Sequence, residues 1–194
     1  MQGLDKAFLE IGGRPIIAGV VDKLRSLVNE VIVVTNSPCK YRGFNVKVVK
    51  DRMPRKGPLM GIYSGLKNSS SKYNFVAACD MPFINERLVK YMIKNIKNFD
   101  IFIPRIDNKF HPLCGIYSKN CVSVIERLLS QDRLKVSDIF SKKIAFGDKL
   151  KVKFISKKKL QSFDKDLLCL ENINTPQDLN RSRRFIRDRH YFID

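Results

Sequence analysis

The chain has 194 residues, 44% of them hydrophobic, and its 37 basic against 19 acidic side chains leave a net charge of +18. That length carries one domain with a full core, and no apolar stretch approaches the ~20 residues that span a bilayer. The opening Met1-Gln2-Gly3-Leu4-Asp5-Lys6 lacks the basic-then-apolar order of a secretory signal, so a cytoplasmic protein is expected.

In chain order, residues 16–28 place Ile17, Val20, Val21, Leu24, Leu27 and Val28 on one face of a helix. Residues 31–35 follow as a short apolar strand ended by Asn36-Ser37-Pro38, and residues 44–49 form another, ending near Asp51. Gly57-Pro58 opens a helix over 58–66, with proline in its first turn. Residues 73–79 read as a buried strand that stops at Asp80-Met81-Pro82, and 85–96 as a helix with Asn85 as N-cap. Strands alternating with helices argue for βαβ units and a parallel sheet. The second half changes character. Residues 100–104 and 112–117 are strands joined by a short link, as in an antiparallel or edge pair. Residues 119–129 form a helix, 136–140 a short one, and 151–155 alternate as a half-exposed strand does. Thr175-Pro176 starts a last helix as N-cap and first residue. One α/β domain over 1–180 is expected, followed by a basic tail over 181–194.

The charge fits a protein that handles polyanionic small molecules. Its lysines are dispersed, and neither aromatic stacking motifs nor zinc-finger spacing accompany them, which argues against specific nucleic-acid binding. The cysteines at 39, 79, 114, 121 and 169 form no C-x-x-C, and only His111 and His190 are available beside them. Reduced thiols are expected rather than zinc, with Cys79 and Cys114 as small core residues.

Asp80 is the most informative single residue. A carboxylate at the C-terminal end of a buried strand sits where open α/β sheets bind ligands, and one carboxylate suffices for a phosphate-bound Mg²⁺. The competing reading is a cap for the helix at Asn85. Gly57, Gly61 and Gly65 recur at four-residue spacing, which serves either close ligand approach or tight helix–sheet packing. Residues 172–179 place Asn172 and Asn174 before a helix N-terminus, as ligand groups or as parts of a capping box made by Thr175 and Asp178. His111 either contacts a ligand or is structural, and Lys6 either holds a phosphate or is simply exposed.

Taken together and in order, Met1-Gln2-Gly3-Leu4-Asp5-Lys6, Gly12-Gly13-Arg14-Pro15, Asp51, segment 57–66, Cys79-Asp80-Met81-Pro82, segment 111–117 and segment 172–179 resemble the molybdenum cofactor guanylyltransferases over nearly the whole chain. The resemblance implies a Rossmann-like nucleotide-diphospho-sugar transferase fold, with a mixed, mostly parallel sheet flanked by helices. It implies transfer of GMP from GTP to molybdopterin, with loss of pyrophosphate and with Mg²⁺ as cofactor. Asp80 would hold the metal and Lys6 the nucleotide phosphates, as the catalytic pair. Asn36, Asp51, Gly57, Pro58, Leu59 and Gly61 would bind the nucleotide, and Asn172 and Asn174 would face the pterin. Partners beyond GTP and molybdopterin would be molybdoenzymes or other cofactor-biosynthesis proteins. The family opens with a strand and a glycine-rich loop that wraps the nucleotide. This sequence opens at Met1 with Gln2 where a glycine is common, so a true start further upstream is expected, as are exposed sheet edges. The same-fold alternatives are a cytidylyl or sugar-phosphate nucleotidyltransferase. The alternative of another class is a catalytically impaired cofactor-binding protein.

Overall fold

The computed structural model describes residues 5–51, 57–140 and 150–189. After a 3₁₀ turn at Lys6–Phe8 comes a hairpin of β1 (Glu10–Ile11) and β2 (Arg14–Pro15), turned by Gly12 and Gly13 at φ 61° and 76°. A two-residue hairpin turn of this type needs positive φ at both centres, which glycine supplies without strain. Helix α1 (Ile16–Arg25) follows, then β3 (Ile32–Val34) and β4 (Lys47–Val49), which pair in parallel. Helix α2 (Gly57–Asn68) leads to β5 (Tyr73–Ala77), and α3 (Glu86–Asn95) leads on to β6 (Ile101–Ile106). After β7 (Lys109–Phe110) and β8 (Cys114–Ser118) come α4 (Cys121–Ser130), β9 (Val152–Ile155), α5 (Lys157–Gln161) and α6 (Pro176–Arg189).

The sheet is mixed. β8 lies between β5 and β6, antiparallel to both, while β9 adds to β6 in parallel. Among the described pairings only β3/β4 and β6/β9 are parallel, so the sheet centre is less parallel than the strand–helix alternation implied. The cause is local: only residues 107–113 join β6 to β8, too few for the crossover that parallel neighbours require. Among the described residues no strand pairs with the second edge of β5 or of β3.

Period-two alternation sends side chains from one strand to two cores. Phe75 of β5, Phe102 of β6 and Ile116 of β8 join α1, α3 and α6 on one face, through Val20, Leu88, Met92 and Ile186. Val76, Ile103 and Tyr117 join α2 and α4 on the other face, through Leu59, Leu66, Ile125 and Leu128. Each fully buried Leu or Ile is worth about 1.5–3 kcal/mol, so these two layers hold the strand ends in place. Asp100 ties the sheet bottom together, accepting from Ser118 Oγ at 2.9 Å, Asn120 Nδ2 at 2.8 Å and Lys151 N at 2.9 Å.

The basic segment after residue 180 continues α6 as far as Arg189. Ser182 and Ile186 are buried, Phe185 meets Phe83 edge-on at 5.2 Å, and the Arg183 guanidinium donates twice to Glu10 O at 3.0 and 3.1 Å. This part of the segment is therefore docked on the domain. Residues 190–194 lie outside the described residues.

Candidate active site

Four of the residues singled out in the sequence, Lys6, Asp80, Asn172 and Asn174, meet beyond the C-terminal end of β5. The strand ends at Ala77, and the chain turns at Cys79-Asp80. Asp80 is 9% exposed. Its Oδ1 accepts from Asn172 Nδ2 at 2.9 Å, and its backbone O accepts from Ile173 N at 2.9 Å. Burial pushes the Asp80 carboxyl up from its ordinary value, and Lys6, the residue's own backbone N–H and Asn172 offset this only in part. Helix α3 is capped by Asn85, whose side chain accepts from Leu88 N at 3.0 Å, so Asp80 is not a helix cap.

Lys6 stands on a short 3₁₀ turn, Lys6–Phe8, and its Nζ donates to Asn174 Oδ1 at 2.7 Å. Lys6, Asp80, Asn172 and Asn174 thus form one cluster, drawn from three distant segments. Thr175 and Asp178 build the capping box of α6: Asp178 N donates to Thr175 Oγ1 at 3.1 Å, and Asp178 Oδ2 accepts from Asn174 N at 3.0 Å and Thr175 N at 2.8 Å. The cap holds the backbone of residues 174 and 175, while both Asn side chains turn to Asp80 and Lys6 instead.

The remaining predicted residues are distributed unevenly. Asn36 is exposed just after β3, and Asp51 is half-buried after β4, with Oδ1 shielded from solvent and without a described hydrogen-bond partner. Gly57 starts α2 at φ 70° and is exposed, as is Pro58. A Cβ on Gly61 would meet nothing within 4 Å, whereas one on Gly65 would touch Val34 Cγ2 at 3.6 Å. Gly61 therefore borders open space, and Gly65 packs α2 on β3. Leu59 is 0% exposed and its side chain belongs to the core under α2, so a contact with a nucleotide would fall to its backbone. On a helix whose outer face carries Gly57 and Gly61, position 59 points inward.

Lys40 and Tyr41 also reach this region. They lie on the turn Pro38–Tyr41 that follows β3. Lys40 Nζ pairs with Asp5 Oδ2 at 2.9 Å. Tyr41 is 5% exposed, and its hydroxyl is pushed up to about 12 by burial and by the nearby Cys79 and Asp5. The Ser37-Pro38 turn signal stops the strand but carries no hint of these contacts.

Cys79 differs from the expected core residue: it is exposed, while Cys114 is buried. The strand ends two residues before it, so it no longer alternates into either core. Surrounding protein still desolvates the thiol and, with Asp80 and Asp5, pushes it up to about 11. Iodoacetamide is expected to alkylate Cys79 about a hundredfold more slowly at pH 8 than an ordinary thiol, since two pH units cost two decades of thiolate. Timed labelling with peptide mapping checks this; labelling at the rate of a free cysteine peptide overturns it.

A single buried carboxylate could give one ligand to a divalent cation whose other ligands come from outside the chain. Among the described residues no three acidic, Cys or His side chains gather as a protein-only metal site. Asn172 is the one described side chain that bonds the Asp80 carboxylate, which leaves lone pairs for a cation. A separate cavity of about 310 Å³ lies against Phe83, Glu171, Arg181 and Phe185, and neither Asp80 nor Lys6 lines it.

A family model described as a MobA-like NTP transferase domain matches residues 1–144. The molybdenum cofactor guanylyltransferase of Desulfosudis oleivorans is 34% identical over 186 residues, 95% of this chain and 89% of that protein. A probable molybdenum cofactor guanylyltransferase of Natranaerobius thermophilus is 33% identical over 191 residues, 95% of this chain and 90% of that one. Among solved structures, the molybdopterin-guanine dinucleotide biosynthesis protein A of Archaeoglobus fulgidus superposes with a TM-score of 0.80 at 24% identity, covering 96% of this chain and 92% of that one.

Proposed function

The chain belongs to the MobA-like NTP transferase family and is a nucleotidyltransferase, and from that premise we propose that it transfers GMP from GTP to molybdopterin, releasing pyrophosphate. The observation that carries this reading is the cluster of Lys6, Asp80, Asn172 and Asn174, in which a buried carboxylate and a lysine stand 74 positions apart in sequence but act on each other. The names of the relatives support the choice of guanylyl transfer in the cofactor pathway.

In this reading a phosphate oxygen of molybdopterin attacks the α-phosphorus of GTP, and pyrophosphate leaves on the opposite side. Transfer of this kind asks the protein for positioning and charge stabilisation rather than a nucleophile. The high thiol value of Cys79 agrees with that division of labour. Asp80 would hold Mg²⁺, which when bound supplies positive charge to the phosphates. Lys6, oriented by Asn174, supports the leaving phosphates. Asp51 and Asn36 face the nucleoside, and the open space beside Gly61 lets the nucleotide approach α2. Asn172 orients the Asp80 carboxylate and borders the pterin.

The test is a competition. The protein is incubated with Mg²⁺ and molybdopterin in equal GTP and CTP, and the dinucleotide products are separated. A guanine dinucleotide is expected in at least tenfold excess, the scale that one set of base-edge hydrogen bonds provides. A cytosine dinucleotide as main product identifies a cytidylyl transferase instead, and absence of both products with tight molybdopterin binding identifies the binding-protein alternative.

A further inference from the structure

His111 stands at the Asp80 end of the sheet. Its backbone N donates to Pro104 O of β6 at 3.0 Å, and its O accepts from Cys114 N at 3.2 Å. Two residues on, Leu113 O accepts from Ala78 N at 3.1 Å, so the turn 111–114 is fastened to the chain just before Asp80. The imidazole is half-buried, its Nε2 is shielded from solvent, and no described residue hydrogen bonds to that nitrogen. A shielded polar atom without a partner carries its whole desolvation cost and calls for a reason. Burial, and then Lys109, hold the imidazole below its ordinary value of 6.5, so it is neutral at physiological pH and carries one N–H donor.

The placement says which substrate this donor serves. β8 fills one edge of β5, whereas Asn36 and Asp51 follow β3 and β4, a pair that does not share that edge. The turn 111–114, just before β8, is fastened to the chain ahead of Asp80 on the β5 edge that β3 and β4 do not share. Lys109, exposed on β7 in the same β6/β7 hairpin, adds positive potential there without claiming the imidazole. In an in-line transfer the attacking oxygen comes from a second phosphate-bearing molecule that must lie across from the leaving group.

We propose that His111 is an acceptor-binding residue: its Nε2–H donates to a phosphate oxygen of the phosphorylated acceptor on the β8 side of Asp80. The inference rests on the guanylyl-transfer reading. In it, a nitrogen left unpaired in the free protein finds its partner when the acceptor arrives, which explains why the cost is tolerated.

The test compares His111→Phe and His111→Gln with the unmodified chain, measuring KM for molybdopterin, KM for GTP, kcat and Tm. Gln keeps an N–H near the Nε2 position and Phe keeps the bulk. His111→Phe is expected to raise the molybdopterin KM about tenfold or more, as loss of a hydrogen bond to a charged group does, with the GTP KM within about twofold. His111→Gln is expected to recover most of the affinity, and the Tm of His111→Phe to equal or exceed that of the unmodified chain, because the unpaired nitrogen is gone. A second readout needs no turnover: the ¹⁵N signals of the two histidines in the chain, assigned through His111→Gln, should show His111 alone shifting when molybdopterin is added. An unchanged molybdopterin KM in His111→Phe overturns the inference and leaves the transferase reading standing. A fall in Tm with equal loss of activity in both variants also overturns it, in favour of a structural histidine. Absence of any transfer by the unmodified chain removes the guanylyl-transfer reading, and this inference with it.

Discussion

Asp80→Asn is expected to lower pyrophosphate release from GTP and molybdopterin by at least about a hundredfold, the scale on which a single electrostatic stabiliser acts at a reacting phosphate. Asn keeps the shape of the side chain and an oxygen that still accepts from Asn172 Nδ2, so the link between β5 and segment 171–174 survives. What it removes is the charge. The same substitution is expected to leave Tm unchanged or raise it. The folded-state pKa of Asp80 lies above its ordinary value, chiefly through burial. The folded protein therefore binds that proton more tightly than the unfolded chain, and stability declines as pH rises from the unfolded pKa through the folded one. At neutral pH the buried charge is a net cost, and Asn relieves it. Kinetics and a thermal melt on the same preparation check both halves. Normal pyrophosphate release in a correctly folded Asp80→Asn would end the assignment of this carboxylate to the metal.

Gly115→Ala is expected to destabilise the fold by about 1–3 kcal/mol or more, the cost of adding a methyl to a filled core. Gly115 is the second residue of β8, opposite Val76 of β5 and next to β6. A Cβ there would fall inside contact distance of Ile103 Cγ2 and lie 3.0 Å from Phe102 O. Neither neighbour gives way easily, since Ile103 is 0% exposed and β-branched and the other atom is backbone. For a chain of this length each kcal/mol lowers Tm by about 2–4 °C, so a drop of several degrees is expected in calorimetry. A Tm within about one degree of the parent shows that β6 and β8 can separate at this point. Because β8 also carries the 111–114 turn to the Asp80 end, the substitution tests how firmly that turn is held.

Which parts of this molecule were legible beforehand follows from how local their causes are. Asn85 as the cap of α3, the capping box of Thr175 and Asp178, and the start of α6 at Pro176 each depend on a few neighbouring residues, and each forms where the sequence puts it. The Gly12-Gly13 hairpin was equally local, and its two adjacent glycines were the available sign. Asp80 was recognisable as the end of an apolar run before a proline. Cys79 was misjudged because it continues an apolar run yet lies past the end of its strand.

The sequence by itself determined the alternation of strands and helices, the caps, the carboxylate at a strand end, and the family to which the ordered motifs point, because these are written in spacings of a few residues. Only the tertiary structure decided that Asn172 would meet Asp80 and Asn174 would meet Lys6, that β8 would enter antiparallel between β5 and β6, and that the turn 111–114 would be fastened to Ala78 with the His111 Nε2 shielded. Those contacts join residues as many as 168 positions apart. Short-range patterning cannot encode them, since they form only when two hydrophobic layers close on the sheet and carry the strand ends together.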